Sequence, residues 1–347
     1  MSFTKVKRIR KPDLNPEKYL RLHRAEFGHD FKKKNLNNNN YYPDSKKLIN
    51  KLSKFHKIKE SNINVGLGSE SLIKDIFFWF FINSKNKQIK FGHGKPNYFM
   101  YSILGKIMNF RESQFNIFPD KKESFSIKFI KKFIIKNKLN FFILVNPSHP
   151  FEINFTLKDL KELISFCKKK NVILIIDEVY QGLGSESALQ FIKKYNNLII
   201  VKSFSKAYGY PGLRLGYIIS NDKLIQEIES LRLAIELPSD TINTSIKFLN
   251  NKKKYLLANV EKIKSARNFA HKSFKIRNIP SYGTHGNSVT FTHKKILLIG
   301  KYLKNKKIII NYSYPRPLNK YGNITTTSIN NLKIFFSRLD IFLKSEK

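Results

Sequence analysis

The sequence predicts an α/β protein with two unequal parts. The larger has a mostly parallel sheet sandwiched by helices, and the smaller C-terminal part is an α+β domain. Between about residues 41 and 245, short apolar runs of strand length alternate with helix-length stretches. These runs are continuously apolar, which is typical of strands covered on both faces, and their alternation with helices favours a parallel sheet. A region rich in helix with two further strand candidates follows, which indicates a second, smaller domain.

The elements of the larger part follow from these runs in chain order. The strand candidates are residues 89–91, 115–118, 141–145, 172–176, 198–201 and 217–219. Residues 157–170 are predicted to form a helix between two of them. The most apolar run, residues 76–82, is far too short to span a bilayer and is predicted to be a buried helix face.

The remaining segments divide the chain. Residues 1–40 are polar and end in four asparagines, which indicates an N-terminal arm. We therefore predict an arm over 1–40, a large domain over 41–245 and a small domain over 246–347. Within the last part of the chain, residues 224–274 are predicted to be largely helical, 288–292 and 307–312 to be strands, and 330–343 to be the final helix.

The composition limits the classes of function. The chain has 347 residues, one cysteine, Cys167, and a formal net charge of +40. The single cysteine excludes an internal disulfide framework, and the basic, polar N-terminus makes secretion unexpected, so a cytoplasmic protein without a membrane span is predicted. The charge has two interpretations, nucleic-acid binding or compositional drift. Because the lysines are scattered along the chain, we favour drift and do not expect a nucleic-acid partner.

The most informative segment is residues 201–217, VKSFSKAYGYPGLRLGY, which follows an apolar run. It places an amine, two hydroxyls and a guanidinium at the end of a predicted buried strand. A phosphate-bearing aldehyde cofactor needs those groups. Lys206 can form a Schiff base, Ser203 or Ser205 can donate to the phosphate, and Arg214 can bind it bidentately.

Polar clusters follow the other strong strand candidates as well. Ligands of open α/β sheets bind beyond the carboxyl ends of the strands, so His149, Asp177, Tyr180 and Lys206 are expected at one rim. A carboxylate such as Asp177 can keep a pyridinium nitrogen protonated. A phenol such as Tyr180 can donate to the ring oxygen of the cofactor. No metal site is predicted.

Two earlier segments complete the predicted site. Residues 65–70, VGLGSE, precede a helix, and the free N–H groups of a helix N-terminus favour a phosphate, which selects Gly68, Ser69 and Glu70. Tyr98 can stack on a planar ring. Pyridoxal 5'-phosphate is the cofactor that these groups suit.

The motifs in this order resemble fold-type I pyridoxal-phosphate enzymes of the histidinol-phosphate aminotransferase-like group, within the class I/II aminotransferases. Segment 203–217 is similar to S-F-S-K-A-Y-G-L-A-G-L-R-x-G-Y almost residue for residue. Segments 42–44, 66–70, 177–180, 286–288 and 316–318 resemble Y-P-D, G-N-G-S-D/E, D-E-A-Y, A-N-F and V-R-P-L.

The resemblance implies an aminotransferase that moves an amino group between an amino acid, or an amino-phosphate compound, and a keto acid. It also implies a homodimer with a shared active site, in which Tyr42 reaches the phosphate bound by the neighbouring subunit. Lys206 would hold the cofactor and act as the general base. A decarboxylase of a phosphorylated amino acid on the same fold, and a non-catalytic protein that kept the fold, remain alternatives.

Departures from the family pattern concern the substrate. His149 stands where an asparagine usually donates to the ring oxygen, and imidazole can also donate. Asn323 stands where the pattern L-R-I-T-I-G has an arginine that binds the substrate carboxylate or phosphate. Arg24 lies in a segment that lacks the expected asparagine. We therefore expect a substrate unlike histidinol phosphate, or one whose anion is held by Arg316, Arg24 or lysines.

Overall fold

The computed structural model describes residues 42–85, 87–233 and 235–345 of the chain. The predicted arm and Arg24 lie outside these residues. A seven-stranded sheet organises the first part. Its strands are β1 Ile63–Leu67, β2 Lys90–Lys95, β3 Arg111–Asn116, β4 Phe141–Val145, β5 Ile173–Asp177, β6 Leu198–Ser203 and β7 Leu215–Ile219.

The strand order across this sheet is β1-β7-β6-β5-β4-β2-β3. Only β7 runs antiparallel to its neighbours, so the sheet is mostly parallel. Helices on this part of the chain are α1 Lys46–His56, α2 Gly68–Ile82, α3 Met100–Ile107, α4 Ile127–Lys136, α5 Leu157–Lys169, α6 Asp222–Ser230 and α7 Ser239–Asn250.

Strand β4 explains why the strand runs are continuously apolar. Phe142 and Leu144 point to one face of the sheet and pack in a core with side chains of α4 and α5. Phe141 and Ile143 point to the other face and pack against α2, where the Phe141 ring lies 5.2 Å from that of Phe77. Both faces of the strand are therefore covered, as a parallel sheet between helices requires.

A three-stranded antiparallel sheet, in the order β10-β9-β8, organises the C-terminal part. The elements here are α8 Ala258–Ile276, β8 Ser281–Tyr282, β9 Ser288–Thr292, α9 Ile296–Asn305, β10 Tyr321–Thr325 and α10 Ile329–Ser345. Their apolar side chains form a separate core. The predicted architecture, a large parallel-sheet part with a smaller α+β part, is confirmed.

Three local expectations differ from the structure. The predicted strand over 307–312 is wrong: only Asn311 bridges to the sheet, and Ile309 is 84% exposed because no sheet face lies over it. The third strand is instead β10, which is less apolar. The helical region 224–274 is divided into α6, α7 and α8, with Pro238 directly before α7. The apolar face of α2 is also only partly buried, since Phe78 and Phe81 are exposed.

Candidate active site

Three neighbouring parallel strands bring the predicted residues to one edge of the large sheet. Val145 at the end of β4 pairs with Asp177, and Asp177 pairs with Val201 of β6. The carboxyl ends of these strands are thus in register, and the segments that follow them carry His149, Tyr180 and Lys206. This edge is where an α/β sheet binds its ligand.

Asp177 is a buried carboxyl with two hydrogen-bond donors. It is 3% exposed, accepts a hydrogen bond from the Tyr101 hydroxyl, and accepts another from Val179 N at 3.0 Å. Burial raises the pKa of Asp177 to about 6, although the Tyr101 hydroxyl acts in the opposite direction. Asp177 is thereby held in place, and a positively charged ring nitrogen would stabilise its ionised form.

Lys206, Tyr180 and His149 lie together beside Asp177. Lys206 Nζ is 5.1 Å from the centre of the Tyr180 ring, and the His149 ring stacks on Tyr180 with centroids 4.9 Å apart. Burial lowers the pKa of Lys206, which favours the neutral, nucleophilic amine. Burial, and then the charge of Lys206, lower the pKa of His149 to about 4, so its imidazole is neutral near pH 7.

Groups that can bind a phosphate meet at the start of α2 and form a cradle there. Gly68, with φ +75°, begins the helix, and a Cβ there would lie 2.7 Å from Arg214 Nη2. Gly68 N donates to Arg214 O at 2.7 Å, so the arginine is fixed beside the helix N-terminus. Ser203 Oγ and Ser205 Oγ are 3.0 Å apart at the end of β6. N–H groups, hydroxyls and a guanidinium are the groups that bind a phosphate.

Tyr98 and Glu70 form a pair at the same edge. The Tyr98 hydroxyl donates to Glu70 Oε2 at 2.8 Å, and the Tyr98 ring meets the Tyr101 ring edge-on at 5.7 Å. Because Tyr101 donates to Asp177, Tyr98 is only one side chain away from the buried carboxyl. Ser69, next to Glu70 in the first turn of α2, is partly buried.

The remaining predicted residues described by the structure are Tyr42, Arg316 and Asn323. Tyr42 is 52% exposed. Arg316 is exposed and lines a cavity of about 190 Å³ with Lys95, Asn97 and Tyr98. Asn323 is 1% exposed. Its Nδ2 donates to Pro150 O at 3.2 Å and to the hydroxyls of Ser288 and Thr290, each at 3.0 Å.

The sequence interpretation missed two residues, Tyr101 and Glu152. Tyr101 follows Tyr98 by three positions at the start of α3, where Tyr101 N donates to Tyr98 O at 3.3 Å, so its approach to the same edge could have been inferred from spacing. Glu152 stands where the family pattern N-P-N-N-P-T-G has its glycine, and it has a φ of 53°, which non-glycine residues rarely adopt. An acidic residue in place of that glycine could therefore have identified Glu152 as unusual from the sequence.

The site fits a pyridoxal-phosphate cofactor on three observations. His149 Nδ1 is buried and has no hydrogen-bond partner among the described residues. Asp177 is buried beside the amine of Lys206, whose charge lowers the pKa of the carboxyl. Finally, the absence of a side chain on Gly68 lets the Arg214 guanidinium lie against the N-terminus of α2. Among the described residues, no group of three or more acidic, histidine or cysteine side chains could hold a metal ion.

Comparison with known proteins gives the family. The model of the class I and II aminotransferases matches residues 23–339. The chain belongs to the aminotransferase class I and II family. The histidinol-phosphate aminotransferase of Clostridium novyi is 31% identical over 257 residues, which cover 72% of this chain and 68% of that protein. The one from Brachyspira hyodysenteriae is 28% identical over 314 residues, covering 88% and 84%.

A solved structure agrees with the fold. The histidinol-phosphate aminotransferase from Clostridium acetobutylicum superposes with a TM-score of 0.75 at 20% identity, covering 86% of this chain and 89% of that one. The predictions of the family, of a pyridoxal-phosphate-dependent aminotransferase and of its cofactor are therefore confirmed. Its substrates are small molecules. Within the described residues, no helix has the length and apolar character needed to cross a membrane.

Proposed function

We propose that Lys206 binds pyridoxal phosphate as a Schiff base and that the enzyme transfers an amino group between an amino compound and a keto acid. One observation carries this proposal. Three adjacent parallel strands deliver His149, Asp177, Tyr180 and Lys206 to one edge, beside the cradle at the start of α2. The cofactor supplies an electron sink, and the chain supplies its position and the proton carrier.

Each side chain has a role that follows from its surroundings. Asp177 would face the ring nitrogen, because its buried carboxyl favours a cationic partner. Tyr180 and the neutral His149 would donate to the ring oxygen, and His149 Nδ1, which has no hydrogen-bond partner among the described residues, is the atom available for this. Tyr98 would stack on the ring. Lys206, whose pKa is lowered by burial, accepts and returns the substrate proton.

The phosphate of the cofactor would lie in the cradle at the N-terminus of α2. Ser69 would present its backbone N–H there, and Arg214 would present its guanidinium, whereas the N–H of Gly68 already donates to Arg214 O. Ser203 and Ser205 add hydroxyl groups. Glu70 would affect the cofactor indirectly, because it accepts a hydrogen bond from the Tyr98 hydroxyl and so holds the Tyr98 ring in place.

We propose that the substrate is an amino acid or an amino-phosphate compound whose anion binds in the cavity beside Tyr98. Arg316 and Lys95 are the cations on the wall of that cavity. Because Asn323 is buried and neutral, it offers that anion an amide at most. The relatives named for histidinol phosphate act on a phosphate-bearing compound, which is consistent with a cationic subsite.

We also propose a cytoplasmic homodimer. Tyr42 reaches the cofactor phosphate of the partner subunit, and exposed apolar side chains of α2 and α3, such as Phe81 and Ile107, are candidates for the interface. The single cysteine, Cys167, is buried, which suits a reducing compartment. The high positive charge then serves solubility rather than nucleic-acid binding.

A screen of amino donors tests the proposed reaction. The purified enzyme is mixed with each donor and the cofactor spectrum is followed while products are analysed. A transaminase gives a keto product together with the pyridoxamine form, whereas carbon dioxide release would identify a decarboxylase instead. High activity with histidinol phosphate and glutamate would contradict an altered substrate. Lys206→Ala is the matched inactive control.

A further inference from the structure

Glu152 fastens the loop after β4 to the small C-terminal sheet. Its side chain is 3% exposed, and its carboxylate accepts hydrogen bonds from Gly286 N at 2.9 Å, Ser288 N at 2.5 Å and Ser288 Oγ at 2.9 Å. The same loop carries His149, three residues earlier. The position of the His149 ring is therefore tied to the first residues of β9.

The surroundings of Glu152 are shaped for a carboxylate. A Cβ on Gly286 would collide with this side chain, and a Cβ on Gly283 would lie 3.1 Å from Glu152 Oε2. Glu152 also keeps a backbone conformation, φ 53°, that strains a residue with a side chain. Three hydrogen bonds and this close fit compensate for the strain, so the carboxyl is a built feature of the loop.

Glu152 and Asn323 are linked through a single hydroxyl. Asn323 Nδ2 donates to Ser288 Oγ, and Ser288 Oγ donates to Glu152 Oε1. Asn323 Nδ2 also donates to Pro150 O, directly after His149. Asn323 and Glu152 thus lie on the side of the loop that faces the small sheet, behind His149. We call this pair, with Ser288, the acidic wall.

The charge of Arg267 partly offsets that of the wall, although no described hydrogen bond or ion pair joins Arg267 to Glu152. Arg267 lowers the pKa of Glu152, but Arg267 Nη1 donates to Gly286 O at 2.7 Å and to Leu183 O at 3.2 Å. Burial raises the pKa of Glu152 to about 7, so a substantial fraction is ionised at neutral pH. A buried negative charge acts strongly on a neighbouring anion, because the medium around it screens weakly.

We propose that Glu152 is a specificity-determining residue that, with Asn323, excludes a carboxylate from the His149 side of the active site. This inference rests on the proposed function, because it concerns the substrate of that site. The substrate group beside the acidic wall is uncharged, and the anion of the substrate lies in the cavity lined by Arg316. An arginine at position 323 would pair with Glu152 and would not be free for substrate.

Binding of maleate, a non-reacting dicarboxylate, tests the inference. Maleate is titrated into the cofactor-loaded enzyme, and its dissociation constant is read from the change in visible absorbance. The wild type, Glu152→Gln, Asn323→Arg and the double variant are compared. Glu152→Gln keeps the volume and removes the charge. We expect Glu152→Gln to bind maleate more tightly than the wild type. The double variant should bind it at least about tenfold more tightly than Asn323→Arg alone, as coupled neighbours do.

Inorganic phosphate is the matched control probe, because neither Glu152 nor Asn323 lines the cavity that contains Arg316. Its affinity should stay constant across the variants and fall in Arg316→Ala. The inference is overturned if the double variant gains no more than Asn323→Arg, or if phosphate affinity follows that of maleate. If the variants with arginine do not fold, a dissociation constant of maleate that is the same in Glu152→Gln as in the wild type overturns the inference. Absence of a visible cofactor band in the wild type would instead contradict the proposed function.

Discussion

Replacing Tyr101 by phenylalanine tests how the buried Asp177 is prepared for the cofactor. The Tyr101 hydroxyl is one of two described donors to this carboxyl, and the Tyr101 side chain is 1% exposed. The substitution therefore removes a donor from a carboxylate that water cannot readily reach. A hydrogen bond to a charged group contributes about 1.5–3 kcal/mol.

Loss of this hydrogen bond should raise the pKa of Asp177 further above about 6, and thus through neutral pH. The carboxyl would then be mostly protonated at pH 7 in the empty enzyme, and ionising it for the ring nitrogen would cost free energy. If ionising Asp177 costs the variant about 1.4 kcal/mol of binding free energy, its affinity for the cofactor falls about tenfold. The loss should diminish as the pH rises, since alkaline conditions ionise Asp177 in the variant as well.

Cofactor affinity is measured by titrating pyridoxal phosphate into the apoenzyme and following visible absorbance at several pH values. Tyr195→Phe is the matched control, because it also removes a buried phenol, one that bonds Ser165 Oγ at 2.7 Å. We expect the control to bind the cofactor like the wild type. Equal affinity in Tyr101→Phe and the wild type across the pH range would refute the role given to Tyr101.

Three further predictions concern other parts of the site. Arg214→Lys should weaken cofactor binding about tenfold or more, because an ammonium cannot bind a phosphate bidentately; an unchanged dissociation constant in the same titration would contradict this. Arg316→Ala should raise KM for the amino substrate while leaving cofactor affinity unchanged, as steady-state kinetics and the titration would show. Glu152→Gln should gain stability over the wild type as pH rises. Burial raises the pKa of Glu152 from 4.5 to about 7, so the wild type loses up to about 3 kcal/mol of unfolding free energy from this group as the pH rises from about 4.5 to 7. The urea concentration at half unfolding is measured for both proteins at several pH values. A difference between them that does not change with pH would contradict that prediction.

The strands that carry the site could be predicted because burial on both faces leaves a simple pattern. Phe141–Val145 is apolar at every position and is the strand β4 without change of bounds. The strand β10 could not be found in this way. It is short and contains Gly322 and Asn323. The nearby residues 307–312 are more apolar, so the sequence pattern favoured a strand there instead. Its pairing with β9 depends on partners distant in the chain.

The chemical groups of the site were predictable where a motif carries them, as with Lys206 and Arg214. Their supporting contacts were not, because they join residues far apart in the sequence. Tyr101 meets Asp177 across 76 positions, and Glu152 meets Gly286 across 134. The hydrogen bonds of Asn323 to the loop at Pro150 likewise follow from the approach of the two sheets, which local sequence does not specify.

We propose above that Lys206 is the residue that holds the cofactor. Borohydride reduction of the loaded enzyme, followed by proteolysis and mass spectrometry, locates the modified lysine. We expect the phosphopyridoxyl group on Lys206, and we expect Lys206→Ala to lose both the label and the visible absorbance. A label on another lysine of the wild type, or a visible band that persists in Lys206→Ala, would contradict it.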